Sequence, residues 1–310
     1  MSRKRKGISV NGWLNIDKPQ GITSNQVIGR VRRALNAQKL GHAGTLDPLA
    51  TGILPIALGE ATKTIQFVQD HDKIYHFTIT WGEARNTDDR EGKVTATSAG
   101  RPTAADLTTL LPRFIGDIEQ VPPQFSAIKV DGERAYALAR AGEEVELAPR
   151  VVSVYDLRLL KVTMDTAEFE LECGKGTYVR SIARDMGQIL GCFGHVSALR
   201  RLAVGQFSEK NAISLDEFEK MMQSPNPDCY LLPVETVLDD IPALALTDSE
   251  ISRIKQGQTI KLLSRQDIGR LDIAGIDETT DLILAIGHDK PLALLTRKGV
   301  ELQPMRVFNL

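Results

Sequence analysis

The chain has 310 residues, of which 42% are hydrophobic and 5% aromatic, and its 38 Lys and Arg nearly balance its 40 Asp and Glu. This composition is typical of a globular protein with one large domain and room for a small second one. It excludes a disordered chain, a collagen-like repeat and a disulfide scaffold. No apolar run reaches the roughly 20 residues of a membrane span. Three well-separated cysteines favour a reducing compartment, so we expect a cytoplasmic protein.

Charge is distributed unevenly along the chain. Residues 1–40 contain nine Lys and Arg against one acid, a net charge of +8, whereas residues 202–250 contain two bases against ten acids, a net charge of −8. A local basic surface for a polyanion is therefore allowed, although charge blocks are more often solvated faces. Charge alone does not identify a partner.

In chain order, the hydrophobic pattern predicts a mixture of strands and helices. A helix over residues 25–35 has an apolar stripe and two candidate caps, Thr23 and Ser24. Residues 73–81 alternate as a half-buried strand does. Because strands and helices do not alternate regularly, we predict the α+β class, with a mixed, largely antiparallel sheet and flanking helices. Further strands are predicted at 13–17, 53–58, 151–160 and 166–173, and further helices at 104–111 and 178–190.

Two stretches stand apart from this pattern. Residues 122–150 are poor in large apolar residues and rich in Gly, Pro and charge, which indicates an insertion outside the core. Near the C-terminus, short apolar segments predict a small β-rich module just large enough to form its own core. We therefore divide the chain into residues 1–244 and residues 245–310.

Motifs for cofactor chemistry are missing from the sequence. There is no phosphate-binding loop, no dinucleotide fingerprint and no nucleophile elbow. The five histidines and three cysteines also lack the spacing of metal ligands. We therefore predict that the protein uses no cofactor and no metal, and that its side chains alone perform any reaction.

Residues 41–54 contain the densest cluster of polar and turn-forming residues. Asp47 lies between Leu46 and Pro48, and three glycines in this segment permit close approach to another molecule. On its own, an Asp-Pro step is usually a turn or a helix cap. A carboxylate among apolar groups needs a cation to remain ionised. Arg180, on a predicted helix, is the candidate cation, through a bidentate contact.

Five segments of the chain stand out as motifs: KPQGITS (18–24), GHAGTLDPLATGIL (41–54), KIY (73–75), GTYVRSIARDMG (176–187) and ALRR (198–201). Together they resemble the motifs of the TruB-type tRNA pseudouridine synthases. The resemblance implies the pseudouridine synthase fold. The C-terminal module is similar only in position and size to the PUA-like RNA-binding domain of bacterial members. The run ARNTDD at 84–89 departs from the family pattern, as do Cys192 and Phe193.

The resemblance implies that the chain converts a uridine in the T-loop of tRNA, at position 55, to pseudouridine. The N-glycosidic bond breaks, the uracil turns within the site, and its C5 bonds to the ribose. Asp47 falls on the catalytic aspartate of the family, and Arg180 falls on the arginine that pairs with it. Tyr75 falls on the tyrosine that stacks on the uracil and is the expected base for the C5 proton. Whether Asp47 attacks the ribose or the base, or assists proton abstraction, stays open.

The same resemblance implies further substrate contacts. Tyr178 and Leu199 fall on positions that line the uracil pocket. His42 falls on the histidine that stacks where the target nucleotide has left the loop, which fits a reaction that needs the base out of its stack. Lys18 is expected to support the electrostatics of the site or the aromatic ring.

Binding of the tRNA is expected to depend on the shape and the phosphates of the T-arm. The RNA-clamping insertion of the family falls at residues 124–150, and we expect it to be poorly ordered without RNA. Candidate RNA contacts are Arg30, Arg32, Arg33, Lys129, Arg134, Arg150, Arg200 and Arg201.

The expected partner is the T-arm of tRNA, with no membrane and no obligate protein partner, bound by a monomer. Three other functions remain open: a tRNA-folding chaperone, a guide-RNA-dependent synthase of the archaeal or eukaryotic kind, and an N-glycoside hydrolase that uses the same carboxylate. The short chain and the small C-terminal module favour the stand-alone bacterial form over the guide-dependent one.

Overall fold

The computed structural model describes residues 7–126, 128–130, 133–135, 138, 147–224 and 231–310. The described helices are α1 (Ser24–Leu35), α2 (Ile65–Asp70), α3 (Ala104–Leu110), α4 (Val179–Ile189), α5 (Leu215–Met222), α6 (Asp248–Lys255) and α7 (Arg265–Ile273). The first strands are β1 (Gly12–Lys18), β2 (Leu40–His42), β3 (Thr51–Leu58), β4 (Lys73–Trp81), β5 (Glu83–Arg85), β6 (Val94–Thr97), β7 (Gly116–Gln120), β8 (Lys129–Val130) and β9 (Glu133–Arg134). They are followed by β10 (Arg150–Val162), β11 (Thr166–Cys173), β12 (Gly194–Val204), β13 (Phe207–Ser208), β14 (Ile213–Ser214), β15 (Ala243–Ala245), β16 (Ile260–Lys261), β17 (Leu282–Gly287), β18 (Lys290–Lys298) and β19 (Glu301–Val307).

The main sheet is mixed and mostly antiparallel, with the order β14-β1-β3-β12-β4-β11-β10-β7. The β14–β1 and β3–β12 pairs run parallel, and the other pairs along this order run antiparallel. A second, five-stranded sheet has the order β15-β17-β18-β19-β16. The predicted α+β class, with a largely antiparallel sheet, flanking helices and a β-rich C-terminal module, is confirmed.

Strands β1 and β3 are buried on both faces of the main sheet, which explains the nearly continuous apolar sequence of β3. On one face, Leu14 of β1 packs in the core with apolar residues of α1 and α4. On the other face, Trp13 packs 5.4 Å from Phe207 and shares a core with Leu284 of the second sheet. The second sheet therefore packs directly on the first.

The predicted helices and strands lie within two residues of their predicted bounds, but several further elements were not predicted, above all the central strand β12 (Gly194–Val204). Thr23 caps α1 as predicted, and it forms a capping box with Gln26. Ser24 is the first helical residue rather than a cap, so its side chain is available for another contact. The three-residue strand β2 was not predicted, because so short a segment carries no readable alternation.

About half of the predicted insertion at 124–150 lies outside the described residues. Within it, β8 and β9 form a short antiparallel hairpin, and the side chains of Lys129 and Arg134 are outside the described part. Among the described residues, no helix is long and apolar enough to span a membrane.

Gly52 is the point at which β3 and β12 approach most closely. Its φ is +101°, and an added Cβ would lie 2.2 Å from the backbone oxygen of Arg201. We expect Gly52→Ala to lower the free energy of unfolding by more than about 2 kcal/mol, since both the positive φ and the backbone clash disfavour a side chain. Urea denaturation measures this change.

Gly269 provides the matched control. It lies inside α7 with an ordinary φ, and an added Cβ would meet no atom within 4 Å. Gly269→Ala is expected to raise the free energy of unfolding by up to about 1 kcal/mol, because alanine is the better helix former. Equal effects of the two substitutions would contradict this account of the β3–β12 contact.

Candidate active site

The loop between β2 and β3 presents Asp47, and it is anchored from both sides. Ser24, at the start of α1, donates its hydroxyl to the Leu46 carbonyl at 3.0 Å and accepts from the Leu46 N–H at 2.9 Å. The Gly21 N–H donates to the Pro48 carbonyl at 2.8 Å. Leu46 is buried in the core and Asp47 follows it directly, so the loop holds the carboxylate in a fixed place.

Lys18 stabilises the Asp47 loop and the neighbouring turn by hydrogen bonds to backbone carbonyls. Its side chain is fully buried, and its Nζ donates to the Ile22 carbonyl at 2.7 Å and to the Pro19 carbonyl at 2.9 Å, with the Pro48 carbonyl at 3.5 Å. Burial lowers the pKa of Lys18 to about 8, although the charge of Asp47 opposes this effect. Lys18 is not among the residues that line the cavity described below. It therefore supports the loop and the local electrostatics rather than contacting a ligand there.

Asp47 forms an ion pair with Arg180. The Arg180 Nε lies 3.0 Å from Asp47 Oδ2, with the Arg180 side chain 6% exposed and the Asp47 side chain 35% exposed. The bidentate contact predicted from the sequence is wrong, because the other two guanidinium nitrogens donate to the carbonyls of Thr87 at 2.9 Å and Phe125 at 3.1 Å. Asp47 is also less buried than predicted. The Asp47 carboxylate therefore contacts the buried Arg180 guanidinium on one side and remains partly exposed on the other.

The loop after β5 completes the surroundings of Arg180. Asp89 is buried, accepts from Thr87 at 2.6 Å, and lies 3.8 Å from the Arg180 Nε. One turn further along α4, Arg184 pairs with Asp88 at 3.1 Å. Burial raises the pKa of Asp88 to about 6, and Arg184 opposes this rise. The run at 84–89, a departure from the family pattern in the sequence, thus carries the groups that fix Arg180.

A cavity of about 470 Å³ opens in front of Asp47, within the usual range of small-ligand sites. Five of the residues that the sequence suggested for the site line it together: Asp47, Tyr75, Tyr178, Arg180 and Leu199. His42 is not among its lining residues and lies on β2, at the start of the segment that leads to Asp47. The wall is thus partly aromatic and apolar, and its lining residues include two carboxylates, Asp47 and Asp70.

Tyr75 is held deep in this wall. It is 9% exposed, and β4 places it between Leu171 of β11 and Arg201 of β12. Burial raises the pKa of the Tyr75 phenol, and the charge and hydrogen bond of Arg201 oppose that rise. Burial also raises the pKa of Tyr178. Both phenols are therefore neutral at pH 7, which suits stacking and hydrogen bonding.

The basic residues predicted to contact RNA fall into different environments. Arg30 pairs with Asp216 at 2.9 Å and with Glu219 at 2.5 Å, and Arg200 pairs with Asp17 and Glu209. Their charges are thus offset by acids of the same chain. Arg32, Arg33 and Arg150 are exposed.

Arg201 was misplaced by sequence reasoning. It is 1% exposed and lines the cavity, so it is not a surface contact for a phosphate. Ser24, Asp89 and the buried Lys73 were also missed as parts of the site, although Ser24 and Lys73 stand in the quoted motifs. Within the described part of the chain, no cluster of His, Cys, Asp and Glu is arranged to hold a metal ion.

Sequence models of two known protein domains match the chain. The sequence model of the TruB family pseudouridylate synthase N-terminal domain matches residues 32–179, and that of the tRNA pseudouridylate synthase B C-terminal domain matches residues 180–239. A tRNA pseudouridine synthase B of Caulobacter vibrioides is 53% identical over 100% of both chains. Another from Rhodospirillum rubrum is 50% identical over 100% of both chains.

Two solved structures share the fold, each with a TM-score of 0.70. A Cbf5–Nop10–Gar1 complex is 24% identical, over 96% of this chain and 84% of that chain. An H/ACA ribonucleoprotein bound to a substrate RNA containing 2′-deoxyuridine is 22% identical, over 100% of this chain and 92% of that chain. The matching domains and the full-length relatives lead to one conclusion: the chain belongs to the TruB family of pseudouridylate synthases.

Proposed function

We propose that this chain converts a uridine in the T-loop of tRNA, at position 55, to pseudouridine. The support from other proteins is that relatives 50% and 53% identical over full length carry the name tRNA pseudouridine synthase B. The observation that carries the proposal is the Asp47 carboxylate, paired with Arg180 at 3.0 Å and open to a cavity lined by Tyr75, Tyr178 and Leu199.

The reaction is an isomerisation, so no atom or electron is gained or lost overall. The bond between the ribose C1′ and N1 of uracil breaks, C1′ bonds to C5, and the proton on C5 is released while N1 gains one. Asp47 is the nucleophile, and Arg180, 3.0 Å away, orients its carboxylate. The possible routes differ in whether Asp47 attacks the ribose or the base.

The walls of the cavity receive the base after it leaves the RNA stack. Tyr75 stacks on the uracil, and Tyr178 and Leu199 close the pocket around it. His42 fills the gap that the base leaves in the loop, which offsets part of the few kcal/mol that unstacking costs. Burial raises the pKa of Tyr75. To act as the base for the C5 proton, the phenol therefore needs a lower pKa when the reacting uracil is bound.

The RNA surface comprises the exposed Arg32, Arg33 and Arg150, together with the insertion at 124–150, which clamps the T-arm. Residues 245–310, together with the preceding residues of β15, form a PUA-like unit that adds RNA contacts to the catalytic unit that precedes it. The protein acts in the cytoplasm as a monomer on tRNA alone, without an obligate protein partner. Similarity over full length to relatives named tRNA pseudouridine synthase B supports this form over a guide-dependent one.

The first test removes the charge of the nucleophile. In Asp47→Asn, we expect pseudouridine formation to fall by at least 10⁴-fold, because an amide cannot act as the nucleophile, whereas the dissociation constant for tRNA stays within about threefold. Nucleoside analysis of purified tRNA measures the product, and filter binding measures the affinity.

Asp156→Asn is the control for this test, since Asp156 lies on β10 with its side chain 44% exposed and pairs with Arg158. It should keep the wild-type rate. Pseudouridine formation by Asp47→Asn would contradict the assignment of the nucleophile. Release of free uracil by the wild-type protein would indicate a hydrolase instead.

The second test separates exposed from neutralised arginines. Arg32→Ala with Arg33→Ala should weaken tRNA binding and reduce the slope of log K against log salt by about 1.5, if each arginine neutralises one phosphate. Arg158→Ala, on β10, should leave the slope unchanged, because Arg158 is paired with Asp156 and Glu170. An unchanged slope in the double variant would show that the RNA does not bind at these arginines of α1.

A further inference from the structure

Arg201 occupies the centre of the main sheet. It lies on β12, which runs between β3 and β4, and its register partners are Gly52 on one side and Tyr75 on the other. Its side chain is 1% exposed, one of the largest fully buried side chains in the described part of the protein. A guanidinium in such a place loses much hydration, so its hydrogen bonds must replace that water.

The partners of Arg201 connect the two halves of the site. Its Nε donates to the Ile53 carbonyl on β3 at 2.7 Å, and Nη2 donates to the Gly44 carbonyl in the Asp47 loop at 3.2 Å. Nη1 lies close enough to Gly44 that an added Cβ would be 3.2 Å away. Tyr75 is the register partner of Arg201 on the neighbouring strand β4, and both residues line the same cavity. The guanidinium is thus fixed by backbone carbonyls beside one phenol.

We propose that Arg201 is a positioning residue that orients the Tyr75 hydroxyl toward the substrate. This inference rests on the proposed role of Tyr75 at the uracil. A guanidinium has donors and no acceptor. In a hydrogen bond between these neighbours, the Tyr75 oxygen therefore accepts from Arg201, and the phenol's own proton points away from the guanidinium, toward an acceptor in the cavity. Both residues line that cavity.

The positive charge of Arg201 also affects the Tyr75 hydroxyl. The charged and titratable groups that affect Tyr75 are Arg201 from β12, Cys173 from β11 and Asp47 from its loop. Arg201 lowers the pKa of the phenol, whereas burial, Cys173 and Asp47 raise it. Lys73, a buried cation on β4, donates instead to the carbonyls of Gln69 and His71. Arg201 is therefore the cation that lowers the pKa of the Tyr75 hydroxyl.

The experiment measures single-turnover rates of pseudouridine formation and tRNA affinity. Arg201→Met should lower the rate by at least about 30-fold with the dissociation constant within about threefold, since it removes an interaction at the reacting base and not on the RNA surface. Arg201→Lys should recover part of the rate because it retains the charge. Arg158→Met, a surface arginine on β10 with a 62% exposed side chain, should match the wild type. A loss of affinity at a wild-type rate would overturn the proposal.

A double-mutant cycle distinguishes orientation of Tyr75 from simple support of the sheet. In a Tyr75→Phe background, the effect of Arg201→Lys on the rate should shrink to less than about threefold, because the group on which Arg201 acts is absent. A purely structural role would give the same loss in both backgrounds. That result would overturn the inference.

A measurement that does not depend on turnover completes the test. The chain has five tyrosines, so the ¹³Cζ resonance of Tyr75 can be assigned by comparison with Tyr75→Phe. It should move in Arg201→Lys and stay in place in Arg158→Met, and an unmoved resonance would overturn the proposal even if Arg201→Met fails to fold. Failure of the wild-type protein to form pseudouridine would instead contradict the proposed function.

Discussion

The ion pair between Asp47 and Arg180 is the interaction on which the rest of the site depends. The cation is 6% exposed and the anion 35% exposed, so the pair has one solvated and one protein-facing side. A guanidinium so deeply buried would be costly without complete hydrogen bonding. Carbonyls of Thr87 and Phe125 supply that bonding and prevent Arg180 from turning. The carboxylate is therefore oriented without being enclosed, which is the requirement for a group that must meet a substrate.

The main sheet determines how the reacting groups come together. The parallel β3–β12 contact and the antiparallel β12–β4 contact place the Asp47 loop and Tyr75 on either side of one strand. Helix α4 adds Arg180 in its first turn, while Ile182 and Met186 of the same helix pack in the core. Three different segments thus converge on one cavity, and the packing that stabilises the fold also fixes the distances in the site.

Much of this arrangement could be predicted from the sequence, because the motifs name the residues that the fold brings together. Asp47, Tyr75 and Arg180 line one cavity. Hydrophobic periodicity predicts β1, β3, β4, β10 and β11 and the helices α1, α3 and α4, but not the central strand β12 that joins β3 to β4. What the sequence did not reveal depends on contacts between distant segments. Arg30 was predicted to contact RNA, yet it pairs with Glu219, which is 189 residues away. A local pattern of charge does not indicate such a pairing.

The most direct measurement of the central claim is the single-turnover rate of pseudouridine formation by Arg180→Lys. Lysine keeps the positive charge, but its one amine cannot reproduce the planar set of contacts to Asp47, Thr87 and Phe125. The account predicts a rate at least about 100-fold below that of the wild type, with tRNA affinity within about threefold. A rate close to that of the wild type would show that a fixed guanidinium behind Asp47 is not what the reaction needs.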